Sequence, residues 1–190
     1  FLRESGQSWW QILPLGPTSY GDSPYQSFSS AAGNPYLIDL DMLVCEGLLE
    51  KNDLRGINWG ENPERVDYGL IFNSRFKVLY KAYQKGKDTL KGEFEAFRLD
   101  NREWVEDYAL FMSLKKHFDM KSWLDWPDEK ARKRDREALR SYEESLSEDI
   151  SFYAFLQFLF FRQWNNLRSY AKKNNIGIIG DIPIYVALDS

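Results

Sequence analysis

The chain has 190 residues, 43% of them apolar and 28% charged, with a net charge of −4 and a pI near 5.2. That length holds one domain with a sizeable core, and the acidic balance gives no electrostatic reason to expect nucleic acid or an anionic membrane as partner. Cys45 and His117 are the only residues of their types, which excludes an internal disulfide and any metal site or triad built on several histidines.

In chain order, Phe1–Gly6 reads as the last turns of a helix with a glycine stop. The abrupt start, and an end at Ser190 just past a strand pattern, read as a piece of a longer protein. Ser8–Leu15 is a short apolar run with two tryptophans, punctuated by Pro14, Gly16 and Pro17. It reads as a buried strand, centred on Trp9 to Leu13.

The loop that follows is long, and Tyr20, Tyr25, Phe28 and Tyr36 are interleaved with Gly21, Asp22, Ser23, Gln26, Ser27 and Asn34. Merely connecting loops are shorter and polar. Flat aromatic faces beside hydroxyls, an amide and a carboxylate suit a sugar, whose C–H faces lie on rings and whose hydroxyls need partners. The same rings could equally pin the loop to the core, and Asp22 reads as a turn-former in Tyr-Gly-Asp-Ser.

The middle is helical. Tyr36 to Leu49 fits one or two short helices broken at Gly47. Asn62 reads as an N-cap with Pro63 in the first turn, opening a helix that Gly86 stops. Helices are predicted from Thr89 to Arg98 and from Asn101, the second with Glu103 and Glu106 at its front and Lys115 and Lys116 at its back, as the helix dipole favours. His117 sits near that end as a capping or half-exposed residue. Trp123 to Pro127 is a turn, and Asp128 to Ser141 a solvated face of mixed charge. Ser145 and Glu148 read as a capping box for a long apolar helix to Lys173. That helix carries Phe152, Phe155, Phe158, Phe160 and Phe161 as core. Ile176 to Ile184 reads as a second buried strand.

Asp181 is the sharpest single residue here. It falls within or at the end of the second strand, just before Pro183, which cannot serve a central ladder. Polar residues at the carboxyl ends of parallel strands face ligands; a turn cap is the alternative. A crossover between neighbouring barrel strands needs roughly 30 residues. The separation here is far longer, so about Cys45 to Ser145 reads as a helical insertion.

The run PLGPTSYGDSPYQSFSSAAGNPYLIDL, Pro14 to Leu40, closely resembles the amylomaltase family, the 4-α-glucanotransferases of glycoside hydrolase family 77. IGIIGDIPIYVALDS, Ile176 to Ser190, resembles a second segment of the same family. The resemblance implies an α/β fold: a partial (β/α)8 barrel with two consecutive parallel strands and a large helical insertion. The barrel would start in 1–44, the insertion occupy 45–145, and the barrel resume in 146–190. It implies a retaining transfer of α-1,4-glucan segments between maltooligosaccharides. Ser23 and Tyr25 would line donor-side sugar subsites, Asp181 would hold the sugar beside the reacting bond, and Tyr20 would serve a second, outer glucan groove. The two catalytic carboxyl groups such a transfer needs, and a third stabilising aspartate, come in the family from later barrel strands and have no counterpart here. The chain is therefore expected to be an inactive N-terminal fragment without cofactor or metal, from a cytoplasmic protein that binds neither nucleic acid nor membrane. Apolar faces such as Phe155, Phe158 and Phe161 are expected to lack neighbours and to favour self-association. A non-catalytic helical interaction domain with an aromatic core is the alternative reading.

Overall fold

The computed structural model describes every residue except Tyr20 and Pro63. Its four short strands are β1 (Trp9–Gln11), β2 (Gln26–Ser27), β3 (Gly177–Ile179) and β4 (Tyr185–Val186). Its helices are α1 (Leu40–Cys45), α2 (Tyr68–Thr89), α3 (Lys91–Asp100), α4 (Val105–His117), α5 (Glu129–Arg132), α6 (Arg136–Ser145) and α7 (Ser147–Lys173). Among the described residues no helix is long and apolar enough to cross a membrane.

β1 and β3 are parallel neighbours, with Trp9 opposite Gly177 and Gln11 opposite Ile179. The ladder is extended by Gly177 N–H donating to the Ser8 carbonyl at 2.8 Å and Ile12 N–H to the Ile179 carbonyl at 3.0 Å. All the intervening helices lie between two adjacent parallel strands, which is a barrel-type crossover with a helical insertion. Both strands are shorter than the sequence implies. Prolines at 14 and 183 lack the N–H a ladder needs, and regular pairing ends before each. Asp181 accordingly lies two residues beyond β3 rather than inside it.

The expectation that both strands are buried is corrected. Trp9 is 64% exposed, and Trp10, Leu13, Ile179 and Ile182 are also open; successive strand residues face opposite sides, so neither side of this two-stranded ladder is fully covered among the described residues.

α7 is the spine of the helical block. α2, α3, α4 and α6 all pack on it. Phe155, with no exposed surface, meets Tyr83 and Phe94 at ring separations of 5.5 and 5.2 Å. Phe158 is buried against Phe94 and Phe97, and the half-buried Phe161 leans on Trp104. These phenylalanines are therefore not left without neighbours, as the sequence reading had it; the insertion itself supplies them. Gly86 does not stop α2. It sits inside the helix, where a Cβ would come within 2.5 Å of the Phe155 ring, so its role is close approach.

Two helix starts also differ. α2 begins at Asp67, whose carboxylate accepts from Leu70 N–H at 3.0 Å, while Asn62 closes a separate turn by accepting from Glu64 N–H. Pro63, expected in the first turn of that helix, lies outside the described residues. Ser145 is the last residue of α6 and makes no capping box; the chain passes straight through Leu146 into α7.

Candidate functional site

The loop after β1 is folded by its own small side chains. Ser27 Oγ donates to the Pro17 carbonyl at 2.7 Å, and Thr18 forms an antiparallel bridge to Ser27. Asp22 adopts the left-handed conformation, φ 55°, and its N–H donates to the Ser19 carbonyl, the turn-forming role expected of it. Ser23 Oγ accepts from Tyr25 N–H at 3.3 Å.

Two glutamines of α7 hold the far side of this loop. Gln157, fully buried, accepts from Gly33 N–H at 2.7 Å and donates to the Gly33 carbonyl at 3.0 Å. Gln163 does the same to Asp39, at 2.7 and 3.0 Å. Each side-chain amide stands in for a peptide of a neighbouring strand. Gly33 must be glycine for a further reason: a Cβ there would lie 2.0 Å from the Phe160 ring.

β2 and β4 form a second parallel pair, one from each post-strand segment, with Gln26 opposite Tyr185. Tyr185 N–H donates to the Tyr25 carbonyl at 3.0 Å. This pairing sets Tyr25 beside Asp181. The Tyr25 hydroxyl donates to Asp181 Oδ2 at 3.0 Å, and Asp181 Oδ1 accepts from Ile182 N–H at 2.8 Å. The hydrogen bond to the carboxylate, helped by burial and by its charge, raises the Tyr25 pKa above the ordinary tyrosine value. Both side chains are half exposed. A carboxylate offers about four lone-pair positions, so about two on Asp181 stay open to a ligand hydroxyl.

Of the residues singled out by sequence, Ser23, Tyr25 and Asp181 therefore come together, and Tyr20 lies outside the described residues. The other loop aromatics separate from them. Phe28 packs 6.3 Å from Phe111, ring to ring, and Tyr36 packs against Tyr68 and Phe76 at 6.2 and 6.0 Å. Burial, with the charge of Asp22 adding to it, pushes the Tyr36 hydroxyl up to about 12. The core-pinning reading of the loop's aromatics thus holds for Phe28 and Tyr36, whereas Tyr25 turns to Asp181.

Sequence reasoning missed Gln157, Gln163, Lys115 and Asp189. Lys115, read only as a dipole-favoured residue at the back of its helix, is buried and its Nζ lies 2.6 Å from Asp189 Oδ2. The only signal for Gln157 was an amide set in the apolar run Phe152 to Phe161; for Gln163, among the polar residues that follow, and for Lys115 there was none. Among the described residues no cluster of three or more His, Cys, Asp or Glu is placed to hold a metal.

The family model described as 4-alpha-glucanotransferase matches residues 1–190. A 4-alpha-glucanotransferase of Clostridium butyricum is 53% identical over all of this chain and 39% of its own length. One of Thermus thermophilus is 48% identical over all of this chain and 38% of its own length. The solved amylomaltase from Streptococcus agalactiae in complex with acarbose superposes with a TM-score of 0.95 at 45% identity, again over all of this chain and 38% of that one. The chain thus spans under two fifths of the length of the relatives it matches. Its paired parallel strands, its helical insertion and its sequence agree on one family, and the chain belongs to the 4-alpha-glucanotransferases.

Proposed function

We propose that these residues are the N-terminal part of an enzyme that transfers α-1,4-glucan segments between maltooligosaccharides, and that they supply one wall of its glucan cleft. Barrel start (1–44), insertion (45–145) and barrel return (146–190) are the units of that reading. The observation that carries it is the 3.0 Å bond between Tyr25 and Asp181, which joins the two post-strand segments at one point. Ligands of a parallel barrel bind where such segments meet. There Asp181 accepts hydrogen bonds from sugar hydroxyls, Tyr25 offers a ring to a C–H face, and Ser23 holds the turn that presents it. Tyr20 serves an outer groove for long glucans.

Retaining transfer needs a carboxylate that attacks the anomeric carbon and a carboxylic acid that protonates the leaving oxygen. Neither role falls to Asp181, whose oxygens are engaged in positioning, so this stretch alone is inactive. A reducing, cytoplasmic setting suits the lone Cys45. In the full-length protein fed maltotriose, the expected products are longer chains plus glucose; hydrolysis without chain extension would overturn the reading. Asp181→Ala should lower transfer about ten- to a hundred-fold, the loss of a hydrogen bond to a charged group, without changing the circular dichroism. Tyr20→Ala should spare maltotriose and impair action on long glucans.

A further inference from the structure

We propose that Lys115 is a positioning residue for the Tyr25–Asp181 pair, acting through Asp189 and Phe28; the role rests on the glucan-cleft reading only for its kinetic consequence. Lys115 lies in the last turn of α4, where a lysine ordinarily reaches into water. Its neighbour Lys116 does so, pairing with Asp149 on the surface. Lys115 instead turns inward and is 1% exposed. Its three N–H donors have three recipients. Asp189 Oδ2 lies at 2.6 Å, the Lys121 carbonyl at 3.3 Å, and the face of Phe28 at 4.7 Å from the ring centre.

These partners sit at matching places. Phe28 directly follows β2, and Asp189 follows β4 by three residues. The ammonium thus grips both strands of the β2–β4 pair past their ends, while Tyr25 directly precedes β2 and Asp181 precedes β4 by four residues. A ladder two residues long is too short to fix its own register. A buried ion pair adds little net stability compared with apolar residues of the same volume, but it does specify geometry, because a slipped arrangement leaves a charge unpaired. The pair therefore sets the register that brings the Tyr25 hydroxyl to Asp181.

The test uses the full-length protein with Lys115→Met and Asp189→Leu combined, so that neither charge is left buried alone. The first readout is the titration of Tyr25, followed by the chemical shift of its isotopically labelled ring and assigned with Tyr25→Phe. The double variant should fold with a thermal midpoint near the parent's. Its Tyr25 should titrate lower, toward an ordinary tyrosine, because the bond to Asp181 is loosened. The second readout is kinetic: Asp181→Ala should cost at least five-fold less in kcat/KM in the double variant than in the parent. An unmoved Tyr25 titration in a folded double variant overturns the proposal, since a purely structural lysine would leave that bond intact. If the double variant does not fold, Asp189→Asn takes its place with the same readouts and the same overturning result. If Tyr25 titrates lower while Asp181→Ala is kinetically silent in the parent, the positioning role stands and the glucan reading falls.

Discussion

At the scale of single residues, the pair Tyr25–Asp181 has a definite pH signature. The tyrosine donates to a carboxylate, so its pKa in the fold lies above the value of about 10 it has in an unfolded chain. A group raised in this way contributes fully below the unfolded value and loses its contribution as pH climbs through the folded one. The bond is thus intact at neutral pH and its contribution is lost as pH climbs through the raised tyrosine pKa. Asp181→Asn should bring Tyr25 part of the way back toward the ordinary value, because the hydrogen bond to that carboxylate is the largest cause of its shift, with burial and then the carboxylate's charge adding to it. Tyrosinate absorbance, compared with Tyr25→Phe, reads this directly, and an unchanged titration in Asp181→Asn would contradict the bond.

At the scale of elements, the two glutamines of α7 make a controlled comparison. Gln157 and Gln163 hold Gly33 and Asp39 with the same pair of bonds, but the first contact is fully buried and the second is open to water. Gln157→Leu strands a buried N–H and a buried carbonyl, at a cost of about 2–4 kcal/mol; Gln163→Leu lets water replace the amide and should cost under about 1 kcal/mol. Denaturant unfolding of the two variants measures the difference, and equal losses would mean burial is not what decides. These clamps also show why parts of the fold were not legible in the sequence. Helix α7 and both strands could be read because apolar spacing is a local property. Gly86, Gly33 and Lys115 could not, since what fixes each is a ring or carboxylate far along the chain. Asn62 and Asp67 were both able to cap a helix, and only the bond to Leu70 N–H chose between them. Asp181 was legible as a polar residue beside a strand end, but its partner was named only through the resemblance, because the β2–β4 pairing leaves too short a pattern to read.

At the scale of the whole molecule, covered and uncovered apolar surface are sharply divided. The helical block closes on itself around Phe155, whereas Trp9, Leu13, Ile179, Ile182, Ile184 and Leu188, in the strands and the segments next to them, stay open. Exposed apolar residues in this number favour association. The 190-residue chain by itself is expected to self-associate through its strands and not through its helices. Light scattering should report species larger than a monomer, and Ile182→Lys with Leu188→Lys should shift them toward monomer at unchanged helix content. A monodisperse monomer from the unsubstituted chain would contradict this.

The pairing of β1 with β3 has a consequence for the order of events during synthesis. Trp9 and its partner Gly177 are separated by nearly the whole chain, and Gly33 waits on Gln157 in the same way. At about 5–20 residues per second, the opening loop leaves the ribosome many seconds before anything that can hold it exists. The helices of the insertion, which pack chiefly on α7, wait for that helix too, but not for the strands β3 and β4 beyond it. Ribosome-stalled chains ending near Ser145 should therefore leave the segment around Gly33 open to protease, and chains long enough to expose α7 should protect it. The loop that comes first in the sequence, with its partner Asp181, is thus the last part to take shape, and through that interval its shelter falls to whatever meets a nascent chain.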